Sequence, residues 1–274
     1  MSSTSALTLS PPARTTAPSQ RHASIRVAAI LPVELAFSNF VGSVLPAHTV
    51  DVGMAGICVQ TTSIIDPQAV RSVRMTLGDH RVELKVHSRW SSDSLSNDGP
   101  LTGLAFDSID SPTRAALWDC IQQRGQELST FLGSCDGLDQ LPFEETFELA
   151  LTTRLRNLQS GQLIYEAEDQ KASESIYALM SGSVLLESAK GRRNQQICDV
   201  YPREFFGGLP IIAGCAPFER AVAVENCTIL EFLGYNVEYL LRAKPGLGVS
   251  LLRAASYHWI RRYAETLDER MLAV

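Results

Sequence analysis

A double glycine set inside an apolar run constrains this chain more than any other stretch. It lies in F-F-G-G-L-P-I-I-A-G-C-A-P-F-E-R-A-V-A-V, Phe205 to Val224. Phe205 and Phe206 end a strand-like segment, and Gly207 and Gly208 let the backbone turn sharply and approach a ligand closely. Leu209 to Ile212 suit a single helical turn with its free N–H groups pointing outward. Arg220 then precedes Ala221 to Val224, an apolar run that reads as a buried strand and fixes the guanidinium. Bend, helical turn and arginine together describe a seat for one anionic group such as a phosphate. An ordinary strand, turn and strand carrying a surface arginine fits the same residues.

The flanks add S-G-Q-L-I-Y-E-A-E-D at Ser160 to Asp169, S-I-Y-A-L-M-S-G-S-V-L-L at Ser175 to Leu186, Y-P-R-E-F-F-G at Tyr201 to Gly207, and C-T-I-L-E-F after the arginine. Together these resemble the cyclic-nucleotide-binding domain of bacterial catabolite activators, kinase regulatory subunits and ion channels. The resemblance spans residues 143–270, with Gly161, Gly182 and Gly207 at the family's three turns. It implies a β jelly roll whose phosphate cassette is Phe206, Gly207, Gly208, Leu209, Arg220 and Ala221, with cAMP or cGMP as the ligand. The family glutamate that holds the ribose 2′-hydroxyl falls at Gly208. A hydrogen bond to a charged group contributes roughly 1.5–3 kcal/mol, so this loss implies binding weaker by about 10- to 100-fold.

With 274 residues, 45% of them hydrophobic, the chain has enough apolar material for two small cores. No apolar run reaches the length of a membrane span. A formal charge of −6 disfavours a general nucleic-acid surface. Six cysteines without a C-x-x-C pair, and no secretory signal, fit free thiols in a reducing cytoplasm. Residues 1–20, rich in Ser, Thr, Pro and Ala, read as a disordered tail.

From Arg21 to about Asp110 the pattern is one of short strands. Val33, Leu35 and Phe37 alternate, as do Val73, Met75 and Leu77, then Val82, Leu84 and Val86. Several such strands close together predict a small barrel with one wet side. At Ser111 the period changes to that of a helix, with Ser111 as the expected cap, Pro112 at the first position, and Ala116, Leu117, Cys120 and Ile121 on one stripe.

H-T-V-D-V-G-M-A-G-I-C-V at His48 to Val59, V-H-S-R-W at Val86 to Trp90, and L-T-G-L-A-F-D-S-I-D at Leu101 to Asp110 resemble the PilZ domain, a bacterial receptor for cyclic di-GMP. The resemblance implies a dinucleotide site built from Arg21, Arg26, Asp51, Gly53 and Gly56. Planar, permanently charged guanidinium groups both chelate phosphate and stack on guanine. The family's arginines are spaced R-x-x-x-R, whereas Arg21 and Arg26 lie five apart, with His22 at the family position; the serine of the strand motif is missing. The same residues also suit a PilZ-like barrel kept only as a docking platform.

Residues 125–142 read as a linker. G-S-C-D-G within it has the form of a nucleophile elbow on Cys135, but a helix precedes it and a loop follows, whereas an elbow needs a strand before it and a helix after it. Phe143, Phe147, Ala150, Leu151, Leu155 and Leu158 then predict one helix over 143–158. The histidines and cysteines show no metal-ligand spacing, Glu166, Glu168 and Asp169 read as solvated loop charges, and no catalytic constellation is present. The chain closes on a helical stripe of Leu251, Leu252, Ala255, Trp259, Tyr263 and Leu267. In the resembled family this helix is a lid over the base or a dimer seam; packing on its own roll suits it equally. Too little chain follows for a helix-turn-helix, so no DNA partner is expected.

The expectation is therefore mainly β with flanking helices: a tail at 1–20, a PilZ-like barrel with closing helix at 21–124, a linker at 125–142, and a cyclic-nucleotide-binding-like jelly roll with a C-terminal lid helix at 143–274. Its expected role is that of a bacterial cytoplasmic, non-enzymatic receptor or adaptor. It would bind cAMP, cGMP or cyclic di-GMP and no metal, and act through an unidentified protein partner or a homodimer. The competing expectation is a scaffold in which both nucleotide sites have decayed.

Overall fold

The computed structural model describes residues 25–38, 44–92, 99–169, 174–188 and 195–272. The tail expected at 1–20 lies outside them, as does Arg21.

The first seven strands are β1 (Arg26–Ala28), β2 (Pro32–Phe37), β3 (Val44–Gly53), β4 (Gly56–Gln60), β5 (Val70–Leu77), β6 (His80–Ser92) and β7 (Leu101–Phe106). They pair antiparallel in the order β3-β2-β5-β6-β7-β4, and β4 returns to β3, closing a six-stranded barrel. β1 continues the line of β2 along β3, with Arg26 opposite Gly53 and Ala28 opposite Asp51. The alternating residues read from sequence point inward: Val33, Leu35, Val73, Met75, Leu77, Leu84 and Val86 are buried, and Phe37 and Val82 are partly buried against the same core. Each of the buried ones contributes about 1.5–3 kcal/mol by leaving water.

Helix α1 (Ser111–Leu132) starts one residue earlier than expected, at the residue read as its cap. Asp110 is the cap, and its carboxylate accepts the Thr113 N–H; Ser111 is the first helical residue. Leu117 plugs the barrel, whereas Ile121, Leu128 and Leu132 enter a second core. The stretch expected as a linker is thus helix through Leu132, followed by turns that bury Cys135 and Leu138 completely. Apolar side chains at helical spacing bind this segment to the core more strongly than its glycines loosen it.

The helix expected over 143–158 ends early. Helix α2 spans Phe143–Ala150, and β8 (Thr153–Leu158) follows. Thr153 begins an alternation, T-R-L-R-N-L, that suits a strand, and β8 gains a full ladder against residues 227–232. Leu155 and Leu158 therefore lie on opposite faces of a strand, not on one helical stripe.

The second half is a two-sheet roll. Its elements are β9 (Leu163–Tyr165), β10 (Ser175–Ser181), β11 (Val184–Ser188), β12 (Gln195–Val200), β13 (Phe205–Gly207), helix α3 (Leu209–Ala213), β14 (Glu219–Ala223) and β15 (Cys227–Leu233), then helices α4 (Gly234–Ala243) and α5 (Pro245–Leu272). One sheet runs β13-β10-β15-β8, the other β12-β11-β14-β9. Between them pack Tyr177, Leu179, Ile229, Leu186 and Ala221. The other face of β10 turns Ile176 and Ala178 toward the helices.

Val27 and Ala28 of β1 share a core with Leu132 of α1, Phe232 of the roll, and Leu251 and Ala255 of α5. The barrel and the roll are thus packed on one apolar mass. Among the described residues no helix is long and apolar enough to cross a membrane.

Candidate functional site

The bend after β13 forms as the sequence indicates. Gly207 and Gly208 have φ of 69° and 79°, in the left-handed region, and α3 begins at Leu209. The bend is pressed against β10: a Cβ at Gly207 would lie 2.8 Å from the Tyr177 ring, and one at Gly208 would lie 2.6 Å from Cγ1 of Ile176. Ile176 thus occupies the space into which a side chain at position 208 would have to grow. Gly208→Glu is expected to lower stability by about 1–3 kcal/mol through the positive φ alone. Thermal unfolding measures that loss, and nucleotide titration of the same variant should show no gain in affinity.

Arg220 sits inside β14, one residue after its start. Glu219, Ala221 and Ala223 are buried, so alternation places Arg220 on the opposite face of the strand. There it meets Glu187, its partner in register on β11. The Nε and Nη2 atoms lie 2.7 and 2.6 Å from Glu187 Oε2, and the two side chains are 29% and 17% exposed. The guanidinium expected to await a phosphate is therefore held by a carboxylate, which an incoming anion would have to displace.

The inward residue of this pair of positions is Glu219, 1% exposed. Its carboxylate accepts from the Tyr165 hydroxyl at 3.0 Å and from the Tyr263 hydroxyl of α5. Burial pushes its pKa up, while the two tyrosine hydrogen bonds and Arg262 pull it down. Beside it Tyr165, Tyr177 and Phe206 stack at 5.8 and 5.1 Å. The alternation in E-R-A-V-A-V places Glu219 in phase with Ala221 and Ala223, and that signal could have revealed it.

Helix α5 grips the strands on both sides of the bend. Arg262, 3% exposed, donates to the Phe205 carbonyl and faces Glu204 at 3.7 Å. Arg261 pairs with Glu204 as well. Trp259 and Tyr263 pack on Phe218, which precedes β14. Of the expected stripe, Leu251 and Ala255 are buried and Leu252 half-buried, but His258 and Arg262 turn inward more completely than Trp259 and Tyr263; the Leu267 side chain lies outside the described residues.

In the barrel, Arg26, Asp51, Gly53 and Gly56 are brought together. Asp51 Oδ1 accepts from Arg26 Nε at 2.9 Å and from the Cys58 N–H at 3.2 Å. Gly53 lies opposite both Arg26 and Gly56. A Cβ on Gly53 would come 2.8 Å from Cγ of Arg26, so the glycine lets the arginine stem lie flat on the strand. Arg21 contributes no geometry, lying outside the described residues.

Residues 155–243 match the family model of the cyclic nucleotide-binding domain. The matched segment contains the bend, Arg220, Glu187 and Glu219 and stops before α5. Similar solved structures include a cyclic nucleotide-binding domain from Methylobacillus flagellatus, at 16% identity and a TM-score of 0.49 over 56% of this chain and 85% of that one. The regulatory domain of Toxoplasma gondii protein kinase A, crystallised with cAMP, aligns at 14% identity and 0.46 over 85% of this chain and 77% of that one. The Thermus thermophilus catabolite activator protein gives 22% and 0.41 over 52% and 62%. No curated protein matches the chain in sequence.

Cys135 of the elbow-like pattern is buried, and burial pushes its thiol up to about 12. A thiol with that pKa is almost wholly protonated at neutral pH and a poor nucleophile. Among the described residues no group of three or more His, Cys, Asp or Glu side chains could hold a metal ion.

Proposed function

We propose that this protein is a second-messenger receptor and adaptor of the bacterial cytoplasm, non-catalytic, whose roll takes a cyclic mononucleotide of the cAMP or cGMP type. The phosphate exchanges with Glu187 for Arg220, beside the bend at Gly207 to Leu209 and the backbone at Ala221. The match of residues 155–243 carries this reading. The Arg220–Glu187 pair supports it as a latch, because a guanidinium makes charge-assisted bonds to phosphate as well as to carboxylate. Since α5 holds Phe205, Glu204 and Glu219, a ligand that shifts the bend changes how the helix docks. The signal then leaves through a protein partner or a second copy meeting α5.

The barrel carries a PilZ-like reading on the same terms, with cyclic di-GMP engaging Arg21, Arg26 and Asp51. Support for it is the cluster of Arg26 on β1 with Asp51, Gly53 and Gly56 on β3 and β4, two neighbouring strands of the six-stranded barrel.

Calorimetric titration with cAMP, cGMP and cyclic di-GMP tests both. Arg220→Ala should weaken the mononucleotide by about 10- to 100-fold, because a charged hydrogen bond is lost. Arg26→Ala should leave the mononucleotide unchanged and weaken only the dinucleotide. Unchanged mononucleotide binding in Arg220→Ala overturns the placement of the phosphate. A second reading, a scaffold without nucleotide, is favoured by Ile176 filling the space at Gly208 and by the inward carboxylate of Glu219. Absence of heat with all three ligands at millimolar concentration would select it.

A further inference from the structure

Helix α5 turns inward one side chain that changes charge near neutral pH. His258 is 1% exposed, its ring centroid is 5.7 Å from that of Phe205, and among the described residues neither Nδ1 nor Nε2 has a hydrogen-bond partner. A neutral imidazole tolerates such a position at moderate cost. A protonated one would bury a full charge and two N–H donors with nothing to receive them.

The charged groups around it are already matched with one another. Arg261 and Arg262 face it from the next turn of α5, Glu204 from the turn before β13, and Asp136 from the connection between α1 and α2. Tyr257 packs edge-on beside it. Arg261 pairs with Glu204 and lies 3.6 Å from Asp136, and Arg262 lies 3.7 Å from Glu204. Among the described residues, these two cations and two carboxylates leave no counter-charge for a third cation. Burial first, and Arg262 next, push the His258 pKa down; Glu204 acts in the other direction.

We propose that His258 is a proton-operated release for the carboxy-terminal half of α5: the helix docks on Phe205 only while the ring is neutral, and protonation favours the helix lifted from the roll. A group whose pKa is depressed in the docked state binds its proton in the released state. Docking is therefore fully favoured above the ordinary histidine value and weakens as pH falls below about 6.5, by up to about tenfold per pH unit. Arg262 and Tyr263 lie within the next two turns and hold the Phe205 carbonyl and Glu219, so release also frees the strands on both sides of the glycine bend. The device does not depend on which ligand, if any, the bend receives.

Amide exchange of residues 258–264 in the full chain, expressed as protection factors from pH 8 to pH 5, tests it. The wild-type protein should lose protection by about tenfold per pH unit below about 6.5. His258→Phe keeps an aromatic ring against Phe205 and should give a flat profile. A flat wild-type profile, or an equal fall in the variant, overturns the proposal. Should the variant fail to fold, the carbon resonances of the wild-type His258 ring decide: a midpoint below about 6.5 is expected, and one at or above that value rejects the release.

Discussion

Arg262→Ala is expected to destabilise the protein by about 3–5 kcal/mol, the range for removing one partner of a buried charged pair. Arg262 is 3% exposed; it donates to the Phe205 carbonyl and faces Glu204, which is itself largely buried. Its loss leaves a backbone acceptor without that donor and asks Arg261 and the Tyr201 N–H to balance Glu204. Chemical denaturation at neutral pH measures the loss. Exchange of the α5 amides should rise before global unfolding, since the arginine ties the helix to β13. A change under about 1 kcal/mol would mean that the carbonyl and Glu204 find water at that position.

Leu132→Ala is expected to cost about 2–5 kcal/mol, the range for a fully buried leucine whose neighbours relax only in part. Leu132 is 0% exposed, at the end of α1, in the core shared by β1, the roll and α5. Because that core joins both halves, the loss should appear as one shifted transition and not as selective melting of the roll. Tryptophan fluorescence, with Trp90 and Trp118 in the first half and Trp259 in the second, followed alongside far-ultraviolet circular dichroism, reports whether the halves unfold together. Two separated transitions would show that each half stands on its own core.

Much of the architecture is legible along the chain because its causes are local. Alternation at Val73, Met75 and Leu77, and at Val82, Leu84 and Val86, needs only the two-residue period of a strand to assign a face. The bend at Gly207 and Gly208 follows from the one residue type that takes a positive φ without strain. The break between α2 and β8 was not legible. Leu151, Leu155 and Leu158 continue the helical spacing, and only pairing with β15, some seventy residues further along the chain, makes Thr153–Leu158 a strand.

The candidate site divides in the same way. The sequence located Arg220 and the missing acid at Gly208, but neither Glu187, which occupies the guanidinium, nor Ile176, which fills the space where the acid would stand. Nor did it mark Glu219, His258 and Arg262 as the polar groups turned inward.

What the order of residues determined was where the backbone alternates, coils and bends, because those choices are made by neighbours within a few bonds. What folding in three dimensions decided was which charge meets which. Ion pairs such as Arg220 with Glu187 and Arg262 with Glu204 depend on strand register and on how a helix seats itself. Those arrangements are fixed by burying apolar surface far along the chain, which carries no local mark of where its partner will be.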